Sequence, residues 1–467
     1  MNFPSLKELG GKAKSAFARF PITLLWSLIG SFYCIIIVEQ DIDVLFDENN
    51  GILLTLLLGI SWLIATRFLI EQFKTPNKWL WVKGVTLVLL VVFYFHLPDL
   101  DVHYGNDTFY IRFGLYFLAG HLFVLFAPFV FKWNAAAYWN YLKSMGIAIV
   151  RSGLFSGILF LGLVLALLAV DSLFEMEVDE ERYFQLFIFC LGVVNTWIYL
   201  SDFPKDVHQE TQVHFNKAIE VLIKYILLPL VILYLIILYA YGIKILFQWE
   251  LPKGWVSYLV TALAFLGFTV EMLIHPVQKI VQSRTMNKYH PWFYILMLPL
   301  IVLLFVAIYR RIADYGITEN RYFVLALAFW ILGITLYMLF SKKRYLKVIP
   351  LSLFAIAVLS SFGPWGAFSI SKNSQLNQFK KVYAKVMANN KVATGKEYKQ
   401  LESIIDYLGN LKAANVLDET VGISMNEAFL DTTKNKYNFY DYDMSEKTLD
   451  SVGITVVPED NDAIFGA

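Results

Sequence analysis

Residues 224–246 read KYILLPLVILYLIILYAYGIKIL, and from Tyr225 to Ile243 no side chain carries a charge. A helix rises about 1.5 Å per residue, so a run of this length crosses most of the roughly 30 Å hydrocarbon core of a bilayer. Inside that core a segment must satisfy its own backbone hydrogen bonds, and a helix is the open-chain structure that does so. The stretch therefore predicts a transmembrane helix, placed at 219–246. Six comparable runs precede it, at 21–38, 51–70, 79–97, 110–131, 145–170 and 183–200. Four follow, at 255–274, 292–309, 321–340 and 348–366. The expected fold is an all-α polytopic transmembrane helical bundle of about eleven spans, residues 21–366, followed by a small soluble α+β domain.

Composition supports the same class. Apolar residues make up 58% and charged residues 16% of the 467 positions, against about 45 to 50% and about 25% in soluble domains. The aromatic share, 17%, suits helices anchored at the headgroup level by Trp and Tyr. The partner such a surface demands is the lipid bilayer. A formal net charge of +1 with no basic stripe gives no footing for nucleic acid.

The placement of charge along the connections predicts topology. Lys7, Lys12, Lys14 and Arg19, then Lys74 and Lys78, Lys132 and Lys143, Lys205 and Lys217, Lys279, Arg284 and Lys288, and Lys342, Lys343, Arg344 and Lys347 fall on one side. Glu39, Asp41, Asp43, Asp47 and Glu48, then Asp99, Asp101 and Asp107, then Asp171 and the acidic run 175–181 fall on the other. Lys and Arg in short loops mark the cytoplasmic face. The N-terminal arm, residues 1–20, is thus expected inside, and an odd number of spans puts the C-terminal domain outside. The first apolar run ends in Glu39-Gln40-Asp41 with no small-residue cleavage pattern, so it reads as a retained span rather than a signal peptide.

After Trp365 the composition turns rich in Lys, Asn and Asp, which marks residues 371–467 as a separate extracytoplasmic unit. Leu376, Phe379, Tyr383 and Val386 keep helical spacing, as do Tyr398, Leu401, Ile405 and Leu408 behind a capping box, Thr394-x-x-Glu397. Tyr437–Tyr442 and Gly453–Val457 read as short strands. No closing element follows before Ala467, so the domain is expected to be incomplete or completed by an envelope protein partner.

Sites for chemistry are sparse. Walker A, GxGxxG, HExxH and GxSxG are absent from the sequence, so no catalytic residue, cofactor or metal is expected. Cys34 and Cys190 sit in apolar runs as small packing residues. In His208-Gln-Glu210-x-x-x-His214 the two histidines do not share a helix face, and the pattern reads as a solvated loop. Arg67, Lys83, Arg112 and Arg151 lie near span ends, where long side chains snorkel to the interface. His121, in the body of a span, reads as a packed core residue, and Gly153-x-x-x-Gly157 permits close helix contact.

Two groups stand out. Glu220 and Lys224 are spaced i,i+4, and Glu271 falls at a similar depth in the next span, so the three are a candidate intramembrane ionic cluster, either a clamp or a proton or ion relay. Arg310 and Arg311 stand on the external side, against the charge rule, with Asp314, Glu319 and Arg321 nearby. These five are either a salt-bridge network or an anion site for an anionic lipid or lipid-linked phosphate.

Three segments carry a resemblance: Lys224–Leu246 with WELPKGWVS (249–257), RRIADYGITENRYFVL (310–325), and SFGPWGAFSIS followed by Asn373-Ser374-Gln375-Leu376. Together they resemble the bacterial polytopic membrane proteins grouped as domain-of-unknown-function family 4153. The resemblance implies the bacterial cytoplasmic (inner) membrane and a soluble domain longer than the one present. It implies no activity. Three functions remain open: a transporter or flippase, an envelope scaffold or sensor binding a partner through the C-terminal domain, and a membrane-embedded transferase acting on a lipid-linked substrate.

Overall fold

The computed structural model describes residues 6–95, 108–204, 206–209, 211–213, 215–248, 255–278, 283–411, 413–425 and 444–456. An amphipathic helix, α1 (Leu6–Arg19), leads into α2 (Pro21–Val38), which carries Pro21 in its first turn, where the missing N–H costs nothing. A short α3 (Ile42–Phe46), capped by Asp41, precedes α4 (Asn50–Glu71), α5 (Trp81–Phe95) and α6 (Thr108–Phe126). The long α7 (Ala135–Phe174) starts at Asn134, whose side chain accepts from the Ala137 N–H.

Two later helical runs contain wider π-helical turns. Residues Phe189–Asn195 join α8 (Glu180–Ile188) to α9 (Thr196–Ser201), and Leu222–Leu227 join α10 (Lys217–Val221) to α11 (Leu228–Gln248). Then come α12 (Trp255–Ile274), α13 (Arg284–Tyr315), α14 (Glu319–Phe340), α15 (Val348–Ser360) and α16 (Ala367–Ala388). The tail adds β1 (Val392–Ala393), α17 (Gly395–Asn410), α18 (Asp418–Val421), a helix at Met444–Val452 and β2 (Thr455–Val456).

Among the described residues, ten helical runs are long and apolar enough to cross a membrane, the make-up of a multi-pass membrane protein. The eleventh expected span, 348–366, is a helix of only 13 residues, or about 20 Å. Its contacts nonetheless lay it along α6. At its start Lys347 Nζ donates to the Phe129 and Val130 carbonyls just beyond the end of α6. Past its end, Ser361 Oγ lies 3.0 Å from Tyr116 Oη, and Phe368 faces the Arg112 guanidinium at 4.6 Å, both in the first half of α6. The segment from Lys347 to Phe368 thus runs antiparallel to α6.

The core is richest in aromatics where α1, α4 and the first turns of α7 meet. Phe68 packs edge-on against Phe20 at 5.5 Å and Tyr141 at 5.6 Å, and the Tyr141 hydroxyl donates to the Val124 carbonyl at 2.7 Å. Arg19 closes this end with a two-pronged bond to Glu71 at 2.8 and 2.9 Å. Residues expected to snorkel have partners there: Arg67 also bonds Glu71, at 2.9 Å, and Arg151 bonds Asp202, at 2.9 Å. Lys83 is buried instead of reaching the surface.

Other expectations change. An added Cβ at Gly153 or Gly157 would meet nothing within 4 Å, so this pair makes no close helix contact within the described residues. His121 is exposed, not packed in the core, and its Nδ1 lies 2.8 Å from the Phe117 carbonyl one turn earlier.

Among the described residues the tail is mainly helical, with one two-stranded parallel pairing, Val392 with Thr455 and Ala393 with Val456. The capping box forms as its spacing predicts. Phe379, Val386, Leu401, Ile405 and Leu408 make its core with Leu417 and Leu449. The expected strand 437–442 lies outside the described residues. No linker separates tail from bundle at position 371, because α16 runs through that point.

Candidate functional site

Helices α12, α13 and α14 carry polar groups at both of their ends. On α12 the buried positions Val260, Leu263, Ala264, Gly267, Phe268, Glu271 and Ile274 follow three- and four-residue steps. Glu271 therefore belongs to the packed stripe and is fully buried. On α13 the corresponding stripe includes Tyr289, His290, Phe293, Tyr294 and Met297. Where the two stripes meet, Glu271 Oε1 lies 2.7 Å from His290 Nδ1 and 2.9 Å from His275 Nδ1. His275 is four residues after Glu271, so one helical turn brings it alongside.

The neighbours fix this arrangement. Gly267, one turn before Glu271, faces the Phe293 ring so closely that no Cβ fits, and its carbonyl accepts from the Tyr289 hydroxyl at 3.0 Å. Trp139 of α7 donates its indole N–H to the Leu273 carbonyl at 3.0 Å, holding the last turn of α12. The His290 ring lies tilted against Tyr294, with ring centroids 5.0 Å apart.

The proton on His290 follows from its partners. Nε2 lies 3.2 Å from the Met338 carbonyl of α14, and a carbonyl only accepts, so Nε2 bears the hydrogen. In a neutral imidazole Nδ1 is then a bare lone pair, and it faces a carboxylate oxygen at 2.7 Å. Two bare acceptors do not rest at that distance, so either one of them carries a proton or a cation lies between them. The second carboxylate oxygen, Glu271 Oε2, is buried with no hydrogen-bond partner. Among the described residues these three side chains form the one carboxylate and histidine group able to converge on a metal ion, with ligand atoms all within 4.8 Å of one another.

The sequence-derived cluster is therefore divided. Lys224 pairs with Glu220 in one helical turn, as their spacing predicts. Glu271 takes its partners from His275 and His290 instead. The signal for the first was present in Glu271-x-x-x-His275; His290, across the turn between α12 and α13, had none. In His208-Gln-Glu210-x-x-x-His214, Glu210 and His214 lie outside the described residues.

At the opposite end of the same helices, the Arg310, Arg311, Asp314, Glu319 and Arg321 group surrounds the turn at Gly316. Gly316 has φ of +71°, which favours glycine, and the turn is clasped by the tail. Ser374 accepts from the Ile317 N–H at 2.8 Å, and Gln375 donates to the Tyr315 and Ile317 carbonyls at 3.1 and 2.9 Å. Gln378 and Gln400 both reach the Asp314 carbonyl at 3.3 Å. Glu319 receives the Tyr407 hydroxyl, and Arg321 donates to the Tyr315 and Gly316 carbonyls at 3.1 and 2.8 Å. Glu319 thus contacts the tail, and Arg321 the backbone of the turn. Arg311 and Arg321 line a cleft of about 130 Å³ with Ser257, Tyr258, Thr318 and Asn320, and Ser257 Oγ is buried there without a partner.

Comparison with known proteins adds a family and no activity. The family described as a domain of unknown function, DUF4153, matches residues 26–417. An uncharacterized protein of Pasteurella multocida (strain Pm70) is 27% identical over 422 residues, covering 83% of this chain and 66% of its own length. The chain thus spans just under two thirds of that relative. No solved structure matches. With the match running from α2 through the tail helix α17, the chain belongs to the DUF4153 family of proteins of unknown function.

Proposed function

We propose that the protein is a multi-pass protein of the bacterial inner membrane that binds a cation between α12, α13 and α14 and works as a transporter. The observation that carries this reading is Glu271, a fully buried carboxylate with one oxygen shared by two histidines and the other unpartnered. An ionisable residue inside a membrane span is costly and marks ion pathways and relays. A clamp built only for stability would satisfy both oxygens. In the proposed orientation the N-terminal arm is cytoplasmic and the tail extracytoplasmic, which places the centre toward the cytoplasmic ends of its helices. The test is cation flux in proteoliposomes holding the full chain, driven by an imposed proton gradient and, separately, by Mn2+ or Zn2+. Flux in the wild type that Glu271→Gln abolishes supports the reading. Equal flux in both, or none in a correctly inserted wild type, sinks it.

A second reading rests on the cleft at the other end. Two guanidinium groups, an amide and an unpartnered buried hydroxyl make a setting for an anionic group such as a lipid phosphate. Phosphatidylglycerol or inorganic phosphate should then raise the thermal stability of the purified chain, and Arg311→Lys should remove the effect, because Lys cannot reproduce bidentate geometry. An undiminished shift in Arg311→Lys would leave the cleft as a structural joint.

A further inference from the structure

We infer that Glu271, His275 and His290 form a binding site for a divalent transition-metal ion of the zinc class. The inference rests on reading the centre as cation-binding and names the cation. Three features of the site distinguish a metal from other cations.

The donor set comes first. Two imidazole nitrogens and a carboxylate suit Zn2+, Fe2+ or Ni2+, whereas Mg2+ and Ca2+ take oxygen ligands. Ligand atoms on a tetrahedral zinc ion lie about 3.3 Å apart. The three atoms here, at 2.7 and 2.9 Å from the shared oxygen and all within 4.8 Å, close around an ion by small side-chain shifts.

Orientation of the ligands comes second. Metal-bound histidines donate their other N–H to a carbonyl or carboxylate, which fixes the tautomer and aims the lone pair at the ion. His290 already does this through Nε2 to the Met338 carbonyl, a backbone group that no side-chain exchange can remove. The ligand is therefore set before any ion arrives. Glu271 Oε2, buried and unpartnered, supplies a further coordinating atom.

Access and coordination number come third. Glu271 and His290 are buried, whereas the His275 side chain keeps 23% of its exposure, so the site opens at His275. Structural zinc sites hold four protein ligands; three leave a position for water or a passing ligand. The site is therefore suited to an ion that exchanges, consistent with transport.

The test uses the full-length protein in detergent, carrying an affinity tag without histidine, with Zn2+ alone and Co2+ alone as probes. One Zn2+ per chain after dialysis, and visible absorption bands from Co2+ displaced by Zn2+, are expected. Loss of an outer-shell partner costs roughly 10- to 100-fold in metal affinity, so loss of a direct ligand should cost at least about 100-fold. Glu271→Gln and His275→Ala are the variants to use. The first keeps side-chain volume, and the second lies at the open edge, where the packed core is least disturbed. Elution as a single species shows that each is folded. No stoichiometric Zn2+ or Co2+ in folded wild type, or binding unchanged in both variants, overturns the inference. Glu271-dependent proton flux without metal binding also overturns it while leaving the cation reading in place. Metal binding without flux supports the site and removes transport alone.

Discussion

The Tyr407 hydroxyl of α17 donates to the Glu319 carboxylate at the start of α14 across 2.6 Å, joining the tail to the membrane bundle through two side chains 88 positions apart. Burial, together with the facing carboxylate, pushes the Tyr407 hydroxyl well above its ordinary pKa, so it stays a donor. Tyr407→Phe leaves a buried carboxylate without this donor. A hydrogen bond to a charged group contributes about 1.5 to 3 kcal/mol, and the tail should detach more readily by that amount. Hydrogen exchange in α17 of the full chain measures it, with faster exchange expected there and no change in α12. Unchanged exchange would show that the glutamine contacts to the Gly316 turn suffice alone.

Gly267 is the close contact beside the buried carboxylate. Alanine normally favours a helix over glycine by about 1 kcal/mol, but at this position the new Cβ meets the Phe293 ring. Overpacking of this kind costs about 1 to 3 kcal/mol, and the strain falls one turn from Glu271. Gly267→Ala should lower the thermal midpoint and weaken Zn2+ binding together. Gly333→Ala, where a Cβ meets nothing within 4 Å, is the control; it should leave Zn2+ binding unchanged and should not lower the midpoint.

Acid should act on the tail through Glu397. A hydrogen bond from Lys385, followed by those from the Thr394 backbone and hydroxyl, pulls its carboxyl down to about 2. Because the folded value lies below the unfolded value of about 4.3, the contribution is present above that pH and fades as pH falls toward 2. Its partner Lys385 is exposed to solvent, so the effect is modest. Wild type should melt above Glu397→Gln at pH 5, and the gap should shrink steadily by pH 2.5. A gap that does not change with pH would contradict this.

Topology is open to direct labelling. Lys343 and Lys399 are both exposed, and the two native cysteines are buried. In intact cells an impermeant thiol reagent should modify Lys399→Cys and spare Lys343→Cys. The reverse pattern would invert the orientation and move the metal centre to the outer half of the bundle.

Apolar run length and charge alternation made the helical bundle legible, because hydrocarbon thickness and the backbone's need for internal hydrogen bonds are read directly from sequence. The Glu220–Lys224 pair was legible for the same reason, as one turn of one helix. Glu271 was visible as an anomaly, but its main partner was not. His290 comes from the next helix, and how the two helices face each other is set by packing between them, such as Gly267 against Phe293 and Phe268 against Tyr294. The arginine turn was legible as unusual, but its clasp by Ser374, Gln375, Gln378, Gln400 and Tyr407 was not, since these residues come from α16 and α17, far along the chain. In the tail the expected strand at 453–457 appears as the two-residue strand Thr455–Val456, paired with Val392–Ala393, a partner too short to be read from propensity.

One consequence of α16 is mechanical. It is unbroken for 22 residues, with Phe368 against Arg112 of the bundle near one end and Val386 in the tail core near the other. A rod of this length, about 33 Å, neither folds back nor stretches. Any tilt imposed on the appendage is delivered as torque to the parts of α6 and α14 that α16 touches, and movement of those helices swings the appendage through an arc in return.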